Sequence, residues 1–404
     1  MKATFASARP DSHRRDALGA DDVDDGDLAE MVADLWGVPQ VTLVDSVAET
    51  VAYDVPSILT GARTWVRGRA DAGRGPREFT LFVKRVHNWR HSPAFASVPP
   101  EIAEWAAATL PWRAEPLAYA SDLASRLPHG LSMPRAVRVE EHPDETAVIW
   151  LEAVEHDPAP WDRETYTAAA GLLGRMSGSA RVAELADLDP QPWGIHHFVE
   201  GRLGHTVLPG LHDDASWRHP LVAVHFGDLR AHLTGVAGRL DRLAEEYAGL
   251  RHLPSHGDAC PNNLLRRPDG DGFTLIDFGF WRSQPVGFDL SQLLVGDIQV
   301  GRRDGDDLPE LAAACLQAYG EGLAAEGVDI TEAELARGHA VSLMLFNGLP
   351  SLPLEMLAEA DQLAAAGELT EERRRAMGHW SRQRAAIARY ALDVLGRTER
   401  SSSG

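Results

Sequence analysis

Four polar residues stand at a spacing that chemistry can use: His256, Asp258 and Asn263 in the stretch LPSHGDACPNNLL, and Asp277 in FTLIDFGFW. Two short apolar runs, ending in LLRR and beginning at FTLIDF, flank the turn-rich RRPDGDG and predict a β-hairpin. A hairpin returns its ends to one point, so Asp258, Asn263 and Asp277 should converge although 19 residues separate the two aspartates. Such a set suits phosphoryl transfer. One carboxylate orients an attacking hydroxyl and takes its proton, while an amide oxygen and a second carboxylate hold Mg2+ against phosphate oxygens. Oxygen donors of this kind suit Mg2+ rather than zinc. The remaining need is a cation for the nucleotide phosphates. Lys84, on the alternating segment EFTLFVKRV, meets it: the chain has 39 basic residues, and its only lysines are Lys2 and Lys84.

The elements that must position these groups fall into two halves. Residues 1–26 read as a disordered acidic lead with the run Asp21, Asp22, Asp24, Asp25 and Asp27. Residues 27–156 begin with a short amphipathic helix around Leu28, Met31, Val32 and Leu35, then turn β-rich. VTLVDSVAETVAYDV, SILTGARTWVRGRA, EFTLFVKRV, MPRAVRVEEH and TAVIWLEAV read as strands, and EPLAYASDLASRL as a helix. PAPW at 158–161 marks a hinge, and residues 157–398 are mainly helical, with residues 399–404 a tail. The class this predicts is α+β.

Composition narrows the function. The formal charge of −21 repels phosphate backbones and anionic membranes, which excludes a general nucleic-acid binder. The start lacks the apolar core of a secretory signal, no run of about 18 apolar residues predicts a membrane span, and two cysteines cannot build a disulfide framework. A cytoplasmic protein is the expectation. Cys260 reads as a small packing residue, Phe280 and Trp281 as core or cleft wall. His252 and His256 stand four apart, but Pro254 between them argues against a zinc helix. Between Pro285 and Glu372, 17 acids face three arginines. That stretch reads equally as a solvated surface or as a pocket for a cationic substrate, with Asp297, Asp304, Asp306, Asp307, Glu355 and Asp361 as candidates.

HGDxxxxN (His256 to Asn263) followed by IDFG (Ile276 to Gly279) resembles the aminoglycoside phosphotransferase and choline kinase superfamily. The resemblance implies a bilobal, protein-kinase-like fold, with a β-rich N-terminal nucleotide lobe and a helical C-terminal catalytic lobe. It implies Asp258 as catalytic base, Asn263 and Asp277 as Mg2+ ligands, and Lys84 on the α- and β-phosphates. The acid paired with that lysine would be Glu115, with Glu101 and Glu104 as alternatives. SILTGARTWV occupies the place of the nucleotide loop, putting Ser57, Thr60 and Gly61 near the phosphates, although it is poor in glycine. IWLEAVEH resembles the hinge strand that meets adenine near Glu152 and Val154. PVGFDLSQLL resembles the Gly-x-Asp-Leu segment whose Asp289 braces the catalytic loop, and His256 shapes that loop as a structural residue. The function implied is transfer of a phosphoryl group from ATP, or alternatively GTP, to a hydroxyl of a small molecule. An antibiotic is the first expectation; a metabolic kinase for choline, homoserine or a sugar, and a nucleotide-binding pseudokinase, are the alternatives.

Overall fold

The computed structural model describes residues 13–52, 57–191 and 193–401, which divide into two compact units. The first comprises the described residues up to Ser125 together with Met133–Glu155; the second comprises Arg126–Ser132 and the described residues from His156 onward.

The first unit is built on a six-stranded sheet in the order β1-β2-β3-β4-β7-β6, with β1 (His13–Arg14), β2 (Thr42–Thr50), β3 (Thr60–Asp71), β4 (Pro76–His87), β6 (Ala136–His142) and β7 (Thr146–Glu152). The short β5 (Leu131–Ser132) belongs to the second unit. All pairings are antiparallel except β1 with β2. Helix α1 (Asp25–Trp36) covers one sheet face: Leu28, Met31 and Val32 pack with Val66, Leu81, Val83 and Trp150. Because side chains alternate along a strand, Lys84 projects from the opposite face of β4 to Leu81 and Val83. In register it lies between Arg63 on β3 and Ile149 on β7.

The disordered lead expected for residues 1–26 is, over its described part, a built element; residues 1–12 lie outside the described residues. β1 adds to the sheet and α1 begins at Asp25. The acid run that suggested a solvated tail is instead consumed by partners. The fully buried Arg15 side chain donates to Asp22 Oδ1 (2.9 Å), Asp25 Oδ1 (2.8 Å), the Val23 carbonyl (2.8 Å) and Ser46 Oγ (2.7 Å). Asp21 pairs with Arg85, and Asp24 caps α1 by accepting from the Asp27 amide. The helix expected over EPLAYASDLASRL is two: α2 (Ala114–Ala120) and a single turn at Leu123–Arg126. Ser121 breaks it, its hydroxyl donating to the Ala118 carbonyl and accepting from the Leu123 amide.

The second unit is helical. Its main elements are α3 (Arg163–Gly178), α4 (Phe288–Gln299), α5 (Leu308–Ala325), α6 (Glu332–Leu343), α7 (Leu354–Ala366) and α8 (Glu371–Ser401). The Gly171 and Gly174 faces of α3 meet α5 so closely that a Cβ on Gly174 would stand 2.2 Å from the Tyr319 carbonyl. The frayed tail expected from 399 is helical through Ser401, and Arg239 Nη2 donates to Glu399 at 3.2 Å. The apolar stretch Glu332–Ala366 has a membrane-like composition, but its most apolar window is 78% buried in the unit and the segment is broken by π and 3-10 turns. The small strands are β8 (His252–Ser255), β9 (Leu264–Arg266), β10 (Phe273–Leu275) and β11 (Arg282–Pro285). β9 and β10 form the expected hairpin, with β5 parallel on its other side.

Arg15→Ala should lower stability by about 2 kcal/mol, the scale for breaking a buried ion pair whose acids are part-exposed. Arg15→Lys should recover only part of this, since one ammonium cannot serve four acceptors in a fork. Urea denaturation followed by tryptophan fluorescence checks both.

Candidate functional site

The loop Ser255–Asn263 hangs between β8 and β9 and is organised by one carboxylate. Asp289, in the first turn of α4 and 1% exposed, accepts from Ser255 Oγ (2.7 Å), the His256 amide (2.9 Å) and the Gly257 amide (2.9 Å). Burial pushes its pKa up, and the three donors and the neighbouring His256 pull it back. His256 is wholly buried and held neutral, its pKa lowered chiefly by burial. Its Nε2 hydrogen-bonds the Ile276 carbonyl at 3.0 Å, which ties the loop to the residue before Asp277. Gly257 is at φ +82°, and a Cβ there would meet the Phe280 carbonyl at 2.1 Å. Only glycine fits between the loop and the segment after Asp277.

Asn263, 8% exposed, donates its amide nitrogen to the Asp258 carbonyl (2.9 Å) and to Asp258 Oδ2 (3.0 Å). That fixes the amide orientation and leaves the Asn263 side-chain oxygen for a ligand. The Asn263 carbonyl accepts from the Ile276 amide at 3.0 Å, so the hairpin does bring its two ends together. Asp277 is at φ +63°, a left-handed backbone unusual for a residue other than glycine and typical of functional positions. Cys260, largely buried, feels both the Asp258 and the Asp277 charge, and its thiol is pushed well up by burial first. It is a packing residue against Gly296 of α4, as expected. Trp281 is core, donating to the Leu185 carbonyl at 2.7 Å, whereas Phe280 is 47% exposed.

In the first unit, Lys84 Nζ stands 2.6 Å from Glu115 Oε2, and each side chain is 4% exposed. Of the alternatives, Glu104 is exposed and 3.6 Å from Arg90, and the Glu101 side chain lies outside the described residues. Ser57 Oγ accepts from the Thr60 amide at 3.2 Å. Thr60 opens β3, and the register slips between Thr60 and Ala62, which places a bulge at Gly61 beside the His87 ring. Glu152 ends β7, with its amide on the Arg135 carbonyl and its carboxylate accepting from the Arg135 amide, both at 2.9 Å; Val154 lies beyond the ladder.

Each of the six acidic candidates has a basic side chain or a hydroxyl nearby. Asp297 accepts from the Tyr166 hydroxyl at 2.9 Å, Asp304 lies 3.3 Å from His379 and 3.8 Å from Arg382, and Asp306 is 4.0 Å from Arg382. Asp307 pairs with Arg303, Glu355 lies 3.4 Å from Arg202, and Asp361 lies 3.5 Å from His219. Among the described residues no group of three or more His, Cys, Asp or Glu side chains forms a metal cage. Sequence reasoning passed over Ser255, whose only signal is its place before His256, and Arg302, which donates to Asn262.

Upstream of Asp289, Gly287 at φ +80° packs against the buried His339, with the His339 backbone nitrogen 3.3 Å from where a Cβ would stand. Burial lowers the His339 pKa to about 4. Above pH 6.5 the ring is neutral folded and unfolded. As pH falls from 6.5 to 4 the unfolded chain gains a proton that the native one refuses, so stability falls by roughly 3 kcal/mol over that window. His339→Leu should flatten this part of a denaturation-midpoint-against-pH curve; an unchanged slope would show that His339 does not carry it.

The phosphotransferase enzyme family model matches residues 66–328, more than half of the chain. An aminoglycoside 3'-phosphotransferase of Streptomyces ribosidificus is 30% identical over 219 residues, 52% of this chain and 73% of that protein. Among solved structures, an aminoglycoside phosphotransferase of Alicyclobacillus acidocaldarius shares 15% identity and a TM-score of 0.47, covering 87% of this chain and 92% of that one. An amicoumacin kinase solved with AMP-PNP and Ca2+ shares 14% identity and a TM-score of 0.47, covering 84% and 87%.

Proposed function

Because the chain belongs to the phosphotransferase enzyme family and is an ATP-dependent phosphotransferase of small-molecule hydroxyls, we propose that its acceptor is an antibiotic and that Asp258 is the base of the transfer. The observation that carries the assignment is the convergence of Asp258, Asn263 and Asp277 on one loop and hairpin, locked from behind by Asp289. The antibiotic class rests on the 30% identical relative that phosphorylates an aminoglycoside.

In this reading Asp258 accepts the hydroxyl proton as the oxygen attacks the γ-phosphorus in line. Its Oδ2 is steadied by the Asn263 amide, so the carboxylate is aimed before the acceptor arrives. The Asp277 carboxylate and the Asn263 oxygen fit a Mg2+ site of the sparse kind that relies on phosphates and water for its other ligands. Bound there, the ion neutralises charge on the transferring phosphates. Lys84, oriented by Glu115, holds the α- and β-phosphates of the nucleotide, with Ser57, Thr60 and Gly61 as the phosphate-loop segment and Glu152 to Val154 at the base.

Phosphorylation of a panel of aminoglycoside, nucleoside and peptide antibiotics, with choline, homoserine and sugars as the metabolic arm, tests the acceptor class by mass detection. Asp258→Asn should keep nucleotide binding and the melting temperature while kcat falls by about 10^2 to 10^4. If no acceptor is phosphorylated and wild-type ATP turnover equals that of Asp258→Asn, the protein is a nucleotide-binding pseudokinase instead.

Lys84→Arg tests the nucleotide half. A guanidinium is wider than an ammonium and spreads its donors in a plane. The substitution should cost at least tenfold in kcat/KM for ATP, about 1.4 kcal/mol. Glu115→Gln should be less than additive with it, since the two side chains touch. Full activity of Lys84→Arg would remove Lys84 from the phosphates.

A further inference from the structure

His87 ends β4 and is 6% exposed. The register of β4 against β7 runs without a slip as far as His87, so side chains alternate to that point. His87 therefore shares the face of Leu81, Val83 and Arg85, opposite to Lys84. Its Nε2 is enclosed and has no hydrogen-bond partner among the described residues. Burial first, and the neighbouring His91 next, lower its pKa against a hydrogen bond to the Ile58 backbone, so the ring is neutral at pH 7. A buried ring nitrogen without a partner is a cost that a leucine in the same place would not carry. The other edge of the ring explains why a histidine stands there.

That edge faces the segment assigned to the nucleotide phosphates. A Cβ on Gly61 would stand 3.0 Å from His87 Nδ1 and 3.3 Å from Cε1, so the glycine backbone lies against the imidazole. The His87 backbone amide donates to the Leu59 carbonyl at 3.0 Å. With Nε2 unpartnered, Nδ1 is the nitrogen that serves the Ile58 backbone. One residue thus holds residues 58–61 through its main chain, its ring face and one ring nitrogen. The segment has Gly61 as its single glycine, at the bulge of β3. Its path is set by what lies behind it more than by glycine turns.

We propose that His87 is a positioning residue of the nucleotide site, its ring carrying residues 58–61 from the face of β4 opposite Lys84. One strand then sets the lysine and the phosphate segment at a fixed separation. His87 acts on the phosphates through Gly61 and the Ile58 backbone rather than by contact. The proton sits on Nδ1, because an N–H at the enclosed Nε2 would have no acceptor. The proposal rests on the assignment of Ser57, Thr60 and Gly61 to the phosphates and extends it to the residue beneath them.

Two probes separate the phosphate segment from the rest of the site: AMP-PNP with Mg2+, which carries phosphates, and adenosine, which does not. Both are titrated into the full-length protein by calorimetry. His87→Ala should weaken AMP-PNP about fivefold or more, the scale of one hydrogen bond, and adenosine by less than about twofold. His87→Asn returns an N–H at the place of Nδ1 and should recover part of that loss, whereas the amide of His87→Gln reaches toward Nε2 and should recover none. These two amide variants decide the matter if His87→Ala does not fold. Gly61→Ala should weaken AMP-PNP when the ring is present and add nothing to His87→Ala, where its methyl group has room. An equal loss for adenosine assigns His87 to packing of the sheet and overturns the proposal. Unchanged AMP-PNP binding by His87→Ala, equal binding by the Asn and Gln variants, or full additivity with Gly61→Ala overturns it as well. Lys84→Arg keeps the two readings apart. If it weakens AMP-PNP and His87→Ala does not, the nucleotide site stands and His87 has no part in it; if neither does, the phosphate assignment falls too.

Discussion

A carboxylate with almost no access to water holds the reaction loop in place. Asp289 is a charge that water would solvate far better than protein does, so its burial is tolerable only because three donors converge on it. All three come from consecutive residues, Ser255, His256 and Gly257. The carboxylate therefore dictates the backbone path that delivers Asp258. Everything next to that path is correspondingly tight: a glycine at Gly257, a second glycine at Gly287 on the approach to Asp289, and a buried neutral His256 bridging to the Ile276 carbonyl. Losing one donor would leave the carboxylate less satisfied, and the strain would fall on Asp258, the residue directly after Gly257.

The ion pair in the first unit obeys a different balance. Lys84 and Glu115 are buried to the same degree and 2.6 Å apart, an arrangement that seldom adds stability over a well-packed apolar pair. Its value lies in position. β4 is fixed on one face by Leu81 and Val83 against α1, so the backbone under Lys84 cannot shift, and Glu115 on α2 removes the remaining freedom of the ammonium. A preorganised cation loses little entropy when phosphates arrive.

Much of this was legible in the sequence, and the part that was not has a physical reason. The HGDxxxxN and IDFG segments announce themselves because a hairpin lies between them, alternation marks β4, and β-branched and apolar runs mark β2, β3, β6 and β7 within a few residues. Arg15 was invisible. Its four acceptors lie 7 to 31 residues away, and acids gathered around a buried guanidinium have the same composition as acids in a solvated tail. Ser121 was missed because a serine within an apolar periodicity gives no sign of whether its hydroxyl will turn back on the helix. The same limit applied to the stretch from Pro285 to Glu372: counting charges there gives a net sign, while the partners, Arg202, His219 and Arg382 among them, come from distant helices.

That pairing alters what the overall charge of −21 means for recognition. A global field steers diffusing ligands over a Debye length of about 8 Å or more, but selectivity on contact depends on the groups left without a partner. In the second unit the six nominated acids each lie within 4.0 Å of an arginine, a histidine or a tyrosine. Net charge and contact selectivity are therefore set by different groups.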